Sequence, residues 1–235
     1  PHHSRDVWHY TETMSEHSNT PETPAIQPRH VFSSLPKYAA GKPPTPVEGL
    51  KQYKLSSNEN PHGPIPEVAR ILAEFDATHR YPDPLSTKLR TALAHRLGVD
   101  AHNIVTGAGS LGALNQILKA FAGASLDGTQ DEVIYAWRSF EAYPILVGLL
   151  GAKSVQIPNL PNGAHDLNAM AQAVTDRTRV ILVCTPNNPT GPAVTEAQMR
   201  EFLTKIPENV VVVIDEAYYE FCTASTVPAG QNAPV

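Results

Sequence analysis

Three stretches put residues with chemical potential at the ends of apolar runs. Val210 to Ile214 are five consecutive β-branched residues, and the run stops abruptly at Asp215 and Glu216. A run this short and this apolar predicts a strand buried on both faces of a parallel sheet. Open α/β sheets bind ligands at the carboxyl ends of their strands, so an acid there is a candidate site residue. The alternative is a solvated turn after a core strand. Upstream, the apolar run Val180 to Cys184 ends in Thr185-Pro186-Asn187-Asn188-Pro189-Thr190-Gly191, a loop dense in side-chain donors and acceptors. The third stretch is Gly107-Ala108-Gly109-Ser110, ahead of Leu111, Leu114, Ile117, Leu118 and Phe121 at helical spacing. A glycine-rich turn opening a helix presents free backbone N–H groups at the positive end of the helix dipole, which suits an anion. Tight turns of this kind also occur without a ligand.

The elements that must hold these stretches follow from periodicity. Pro66 stands at the first position of a predicted helix reaching about Thr78, with Val68, Ile71, Leu72 and Phe75 on one face. A second helix runs from Ser86 to Leu97 and stops at Gly98. Five strands are expected, at 103–106, 133–136, 154–157, 180–184 and 210–214. Helices between them are expected from the glycine turn to Phe121, over Phe140 to Leu150, over Asp166 to Val174, and over Thr195 to Leu203 with Thr195 and Gln198 at capping-box spacing. Alternating strands and helices point to an α/β fold with a mostly parallel, doubly wound sheet and helices on both faces.

Bulk properties narrow the function classes. The 18 basic and 23 acidic residues give a formal charge of −5, which argues against a nucleic-acid or anionic-membrane binder. No apolar run approaches the roughly 20 residues of a membrane helix. Cys184 and Cys222 are too few for a disulfide framework, so a cytoplasmic location is expected. The ten histidines are scattered, and no metal site is predicted.

P-N-N-P-T-G followed by D-E-A-Y resembles the fold-type I pyridoxal 5'-phosphate (PLP) aminotransferases, in the branch of histidinol-phosphate and aromatic amino acid aminotransferases. Lys54 to Pro61, KLSSNENP, is similar to that branch's L-x-x-N-E-N-P segment, and the resemblance covers roughly residues 50 to 220. It implies roles for individual residues. Asp215 would sit beside the pyridine nitrogen, and a carboxylate there favours the protonated ring. Asn188 and Tyr218 would hydrogen-bond the phenolic oxygen of the cofactor. Ser110 and Leu111 would bind the phosphate through backbone N–H groups, and Phe140 would cover one ring face, although a phenylalanine at a helix start is also an ordinary core residue. Asn60 would line the substrate mouth. Tyr81 would reach the phosphate of a partner subunit, which implies a homodimer acting on small amino acid and 2-oxo acid substrates.

The segments Trp137 to Pro144 and Val174 to Arg179 are closer to the actinobacterial aromatic branch, implying transfer from an aromatic amino acid to 2-oxoglutarate. Histidinol phosphate is the alternative substrate, and an inactive remnant or interaction module is the alternative of another class. No catalytic residue is assigned, because the lysine that carries the cofactor belongs to an S-K-A-type motif that these 235 residues lack. The expected organisation is a disordered extension over 1–30, an extended arm over 31–65, a partial PLP-binding domain over 66–222 and a broken-off tail over 223–235. The resemblance implies a seven-stranded sheet and a small C-terminal domain, so the chain reads as an N-terminal fragment whose fold is incomplete at the C-terminus.

Overall fold

The computed structural model describes residues 28–36, 42 and 44–222. The extension expected over 1–30 falls outside the described residues except for its last three positions, and the tail over 223–235 falls outside them entirely.

Among the described residues four strands form the sheet: β1 (Glu132–Trp137), β2 (Lys153–Pro158), β3 (Thr178–Cys184) and β4 (Val211–Asp215). Their order is β2-β1-β3-β4, and every neighbouring pair is parallel. Among the described residues six α-helices accompany them: α1 (Pro66–Glu74), α2 (Thr87–Leu97), α3 (Gly109–Phe121), α4 (Ala142–Leu149), α5 (Leu167–Gln172) and α6 (Glu196–Leu203).

Side chains alternate faces along a strand, so each strand feeds two cores. Val133, Tyr135, Val180, Leu182 and Cys184 pack with Leu114 and Leu118 of α3 and Tyr143 and Val147 of α4. On the opposite face Ile134, Ala136, Ile181 and Val183 pack with Met170 of α5 and Met199 and Phe202 of α6. Each fully buried large apolar side chain contributes about 1.5–3 kcal/mol. The caps are those the sequence spells out. Asp166 accepts from the Ala169 N–H at 2.9 Å, Thr195 and Gln198 form a reciprocal capping box, and Gly98 ends α2 in the left-handed conformation at φ 69°.

At the foot of β1, Glu132 is 2 % exposed and ties three strands together. Its Oε1 accepts from Lys153 Nζ at 3.0 Å and Arg177 Nη2 at 2.9 Å, and its Oε2 accepts from the Thr175 hydroxyl at 2.6 Å. The Thr175 hydrogen bond, followed by the two cations, lowers the Glu132 carboxyl to about 2.

Three expectations need correction. Residues 103–106 form no strand. Asp100 accepts from the His102 N–H at 2.7 Å and folds Ala101–Asn103 into a 3-10 turn. Ile104 is extended at φ −112°, ψ 128°, but has no ladder partner among the described residues. The first helix stops at Glu74, because Phe75 turns extended at ψ 112°, and none of the residues of α1 is buried. Its apolar face forms as expected yet meets solvent, with Ile71 and Leu72 57 % and 68 % exposed. The arm is not extended throughout, since His30–Ser33 make a 3-10 turn and Arg29 Nη1 reaches the Leu149 carbonyl at 3.3 Å.

Candidate functional site

The carboxyl ends of β3 and β4 converge on one cluster. Cys184 and Asp215 are register partners, and the Thr185 N–H donates to the Asp215 carbonyl at 2.9 Å. The Asp215 side chain is held at both oxygens. Oδ2 accepts from the Tyr143 hydroxyl at 2.8 Å, and Oδ1 accepts from the Ala217 N–H at 3.2 Å. Tyr143 is fully buried on α4, its ring in edge contacts with Tyr135 and Phe140 at 5.6 and 5.7 Å. Burial, with Cys184 and Asp215 close by, pushes the Tyr143 phenol far above its ordinary value. It therefore donates its proton to the carboxylate and keeps it.

The loop after β3 is organised by Asn187. Its Oδ1 accepts from the Ser139 hydroxyl at 2.7 Å, and its Nδ2 donates to the Arg138 carbonyl at 2.9 Å and to Thr190 Oγ1 at 2.6 Å. Thr190 in turn donates to the Gly163 carbonyl at 2.7 Å. Asn187 is thus a buried structural residue, while the half-buried Asn188 directs its backbone N–H to the Cys184 sulfur. The sequence alone does not separate the two asparagines.

The glycine turn opens α3 directly. Gly109 has φ 66°, and no side chain caps the helix at Ala108, so the first-turn N–H groups are left for another acceptor. A Cβ on Gly107 would stand 2.7 Å from the Ala113 nitrogen and 2.9 Å from the Gly112 carbonyl carbon, so only glycine fits where the turn meets the helix. A cleft of about 250 Å³ between α3 and the end of β4 is lined by Ser110, Ala113, Asp215, Glu216 and Ala217, among others. The uncapped start of α3 and a carboxylate therefore face one space.

A larger cleft of about 890 Å³ lies between the segment 58–62 and the residues after β4, lined by Asn58, Glu59, Asn60, Pro61, His62, Tyr218 and Phe221. Its volume falls within the roughly 300–1,000 Å³ of small-molecule sites. Asn58 Nδ2 donates to the Tyr218 phenolic oxygen at 3.0 Å, which leaves the Tyr218 O–H to donate elsewhere.

The structure brings Ser110 and Asp215 into one cleft, and Asn60 and Tyr218 into the other. Phe140 meets Tyr143 in an edge contact and packs against the core beside α3 and α4, and it lines neither cleft. Leu111 is 43 % exposed at the start of α3, and Tyr81 is fully exposed in the loop before α2, in neither cleft. Two residues with direct contacts to these side chains escaped sequence reasoning. Tyr143 was readable only as the residue three after Phe140, on the same helical face. Asn58 was readable only as the first asparagine of the N-E-N-P segment.

A parallel sheet covered on both faces, with an acid and an uncapped helix start at its carboxyl edge, is an α/β fold of the doubly wound class, in which ligands bind at that edge. The family model of class I and II aminotransferases matches residues 51–233, and the chain belongs to that family. It is 48 % identical over 203 residues to the aromatic amino acid aminotransferase of Streptomyces coelicolor, covering 86 % of this chain and 55 % of that protein. The aromatic amino acid aminotransferase of Thermobifida fusca is also 48 % identical over 203 residues, with the same coverage. Among solved structures, the histidinol-phosphate aminotransferase of Sinorhizobium meliloti in complex with pyridoxal-5'-phosphate matches with a TM-score of 0.63 and 27 % identity, over 71 % of this chain and 44 % of that one. The chain spans about half the length of the curated relatives it matches. Among the described residues no helix is long and apolar enough to cross a membrane.

Proposed function

We propose that these residues form the cofactor-binding face of a PLP-dependent aminotransferase that moves the amino group of an aromatic amino acid to 2-oxoglutarate. The observation that carries the reading is the Asp215 carboxylate, fixed by Tyr143 and Ala217 in the cleft that the uncapped start of α3 also lines. The donor set fits the group: an anionic oxygen for a ring nitrogen, and free amides at a helix start for a phosphate. Bound PLP supplies a ring that accepts the electrons released when the substrate Cα–H bond breaks.

The residues around it divide the remaining work. Asp215 holds a proton on the ring nitrogen. The N–H groups of Ser110 and Leu111 bind the phosphate. Tyr218, its oxygen already accepting from Asn58, donates its hydroxyl proton to the phenolic oxygen, and Asn188 serves the same oxygen. Phe140 covers a ring face, and Asn60 lines the substrate mouth. Tyr81, fully exposed in this chain, serves the phosphate of a second subunit in a homodimer. The lysine that carries the cofactor covalently is not assigned to these residues, so turnover is proposed for the full-length protein, in a reducing cytoplasm.

The names of the relatives at 48 % identity favour an aromatic donor over histidinol phosphate. The test is spectroscopic. The full-length protein loaded with PLP should lose its bound-cofactor absorbance on adding phenylalanine or tyrosine, and regain it with 2-oxoglutarate. A response to histidinol phosphate, with none to saturating aromatic amino acids, would overturn the substrate assignment.

A further inference from the structure

Behind Asp215 lies a chain of buried polar side chains that the reaction itself does not call for. Tyr143, Cys184, Ser139 and Asn187 are 0 %, 2 %, 1 % and 3 % exposed. The Tyr143 hydroxyl donates to Asp215 Oδ2 at 2.8 Å and also lies against the Cys184 thiol. The Cys184 thiol lies against the Ser139 hydroxyl, which donates to Asn187 Oδ1 at 2.7 Å. The chain crosses four segments, from α4 through the end of β3 and the loop after β1 to the loop that carries Asn188.

We propose that Tyr143 is a positioning residue, anchored through Cys184 and Ser139 to the Asn188 loop, that fixes the Asp215 carboxylate toward the cofactor's ring nitrogen. The inference rests on the PLP reading above and assigns a role to a side chain outside the expected set. Two features separate it from a core tyrosine that has merely found a partner. Its ring is locked by edge contacts on two sides, from Tyr135 and Phe140, so the hydroxyl has one direction to take. Its donor is neutral, and burial keeps it so. A cationic donor in the same place would compete with the ring nitrogen for the carboxylate's charge. A phenol orients the carboxylate and leaves that charge for the ring.

The full-length protein, its Tyr143→Phe, Asp215→Ala and doubly substituted forms, and Ser139→Ala are titrated with PLP by absorbance. The ring-nitrogen signal of 15N-labelled PLP is recorded on each. Tyr143→Phe should weaken PLP about tenfold, the usual effect of removing a hydrogen bond to a charged group. It should also move the nitrogen signal toward that of the unprotonated ring. In the Asp215→Ala background the same substitution should cost nothing further, because Tyr143 acts only through Asp215. Ser139→Ala, two links away, should give a smaller change in the same direction, and it carries the test if Tyr143→Phe does not fold. Equal affinity and an unmoved nitrogen signal in Tyr143→Phe, or an undiminished cost in the Asp215→Ala background, would overturn the role of Tyr143. If instead wild type and Asp215→Ala bind PLP equally, the cofactor reading fails, and this inference falls with it.

Discussion

Replacing Glu132 with glutamine keeps the shape at the foot of β1 and removes the charge that three donors share. The carboxyl is lowered from 4.5 to about 2. Each tenfold gain in acidity is worth roughly 1.4 kcal/mol, so the lowering corresponds at full value to about 3 kcal/mol. Lys153 and Arg177 are 53 % and 55 % exposed, so water and salt screen their share, and about 2 kcal/mol is the working figure. The sign follows from the lowered value. The stabilisation is fully present above the unfolded carboxyl's 4.5 and is lost as pH falls through about 2. Urea unfolding of both forms should therefore show Glu132→Gln weaker by about 2 kcal/mol at pH 7, with the gap closing between pH 4.5 and 2. A gap that stays constant down to pH 2.5, or no gap at pH 7, would refute the reasoning.

Asp215→Ala in the full-length protein should lower aromatic transamination on the order of 10³-fold, and Glu216→Ala far less, because Asp215 is the carboxylate that Tyr143 and Ala217 hold in place. Comparable rates for the two would remove Asp215 from the mechanism. Gly107→Ala forces a Cβ against backbone at 2.7 Å, where no side chain can yield. It should weaken PLP binding by at least about tenfold through displacement of the α3 start, read by absorbance titration. Unchanged affinity would show that the turn does not hold the phosphate.

The sheet was legible because its strands advertise themselves. Val133 to Ala136, Val180 to Cys184 and Val210 to Ile214 are nearly unbroken apolar runs, and strands buried on both faces need such runs. The boundaries of α6 were legible from Thr195 and Gln198, whose reciprocal cap is local. The contacts that build the site were not. Tyr143 meets Asp215 across 72 residues, and Asn58 meets Tyr218 across 160. Each depends on which strand lies beside which, and no local pattern states that order. Residues 103–106 show the converse failure, since Ile104 has strand dihedrals but strand identity depends on a partner. Separating Asn187 from Asn188 required the Ser139 hydroxyl, which arrives from the loop after β1, 48 residues away in sequence.

The sheet order has a consequence for where the structure yields first. β4 has one ladder neighbour among the described residues, and all five of its residues are only half-buried, whereas β1 and β3 lie inside the sheet. Protection against local opening rises with buried contacts and paired amides, so the strand that carries Asp215, like the other edge strand β2, belongs to a less protected cooperative unit than β1 and β3. Opening that unit would release Asp215, Ala217 and Tyr218 together while both cores across β1 and β3 remained packed. The candidate site thus has its own folding equilibrium, shallower than that of the scaffold beneath it. Any ligand spanning the α3 turn and Asp215 would raise that equilibrium without altering the rest of the sheet.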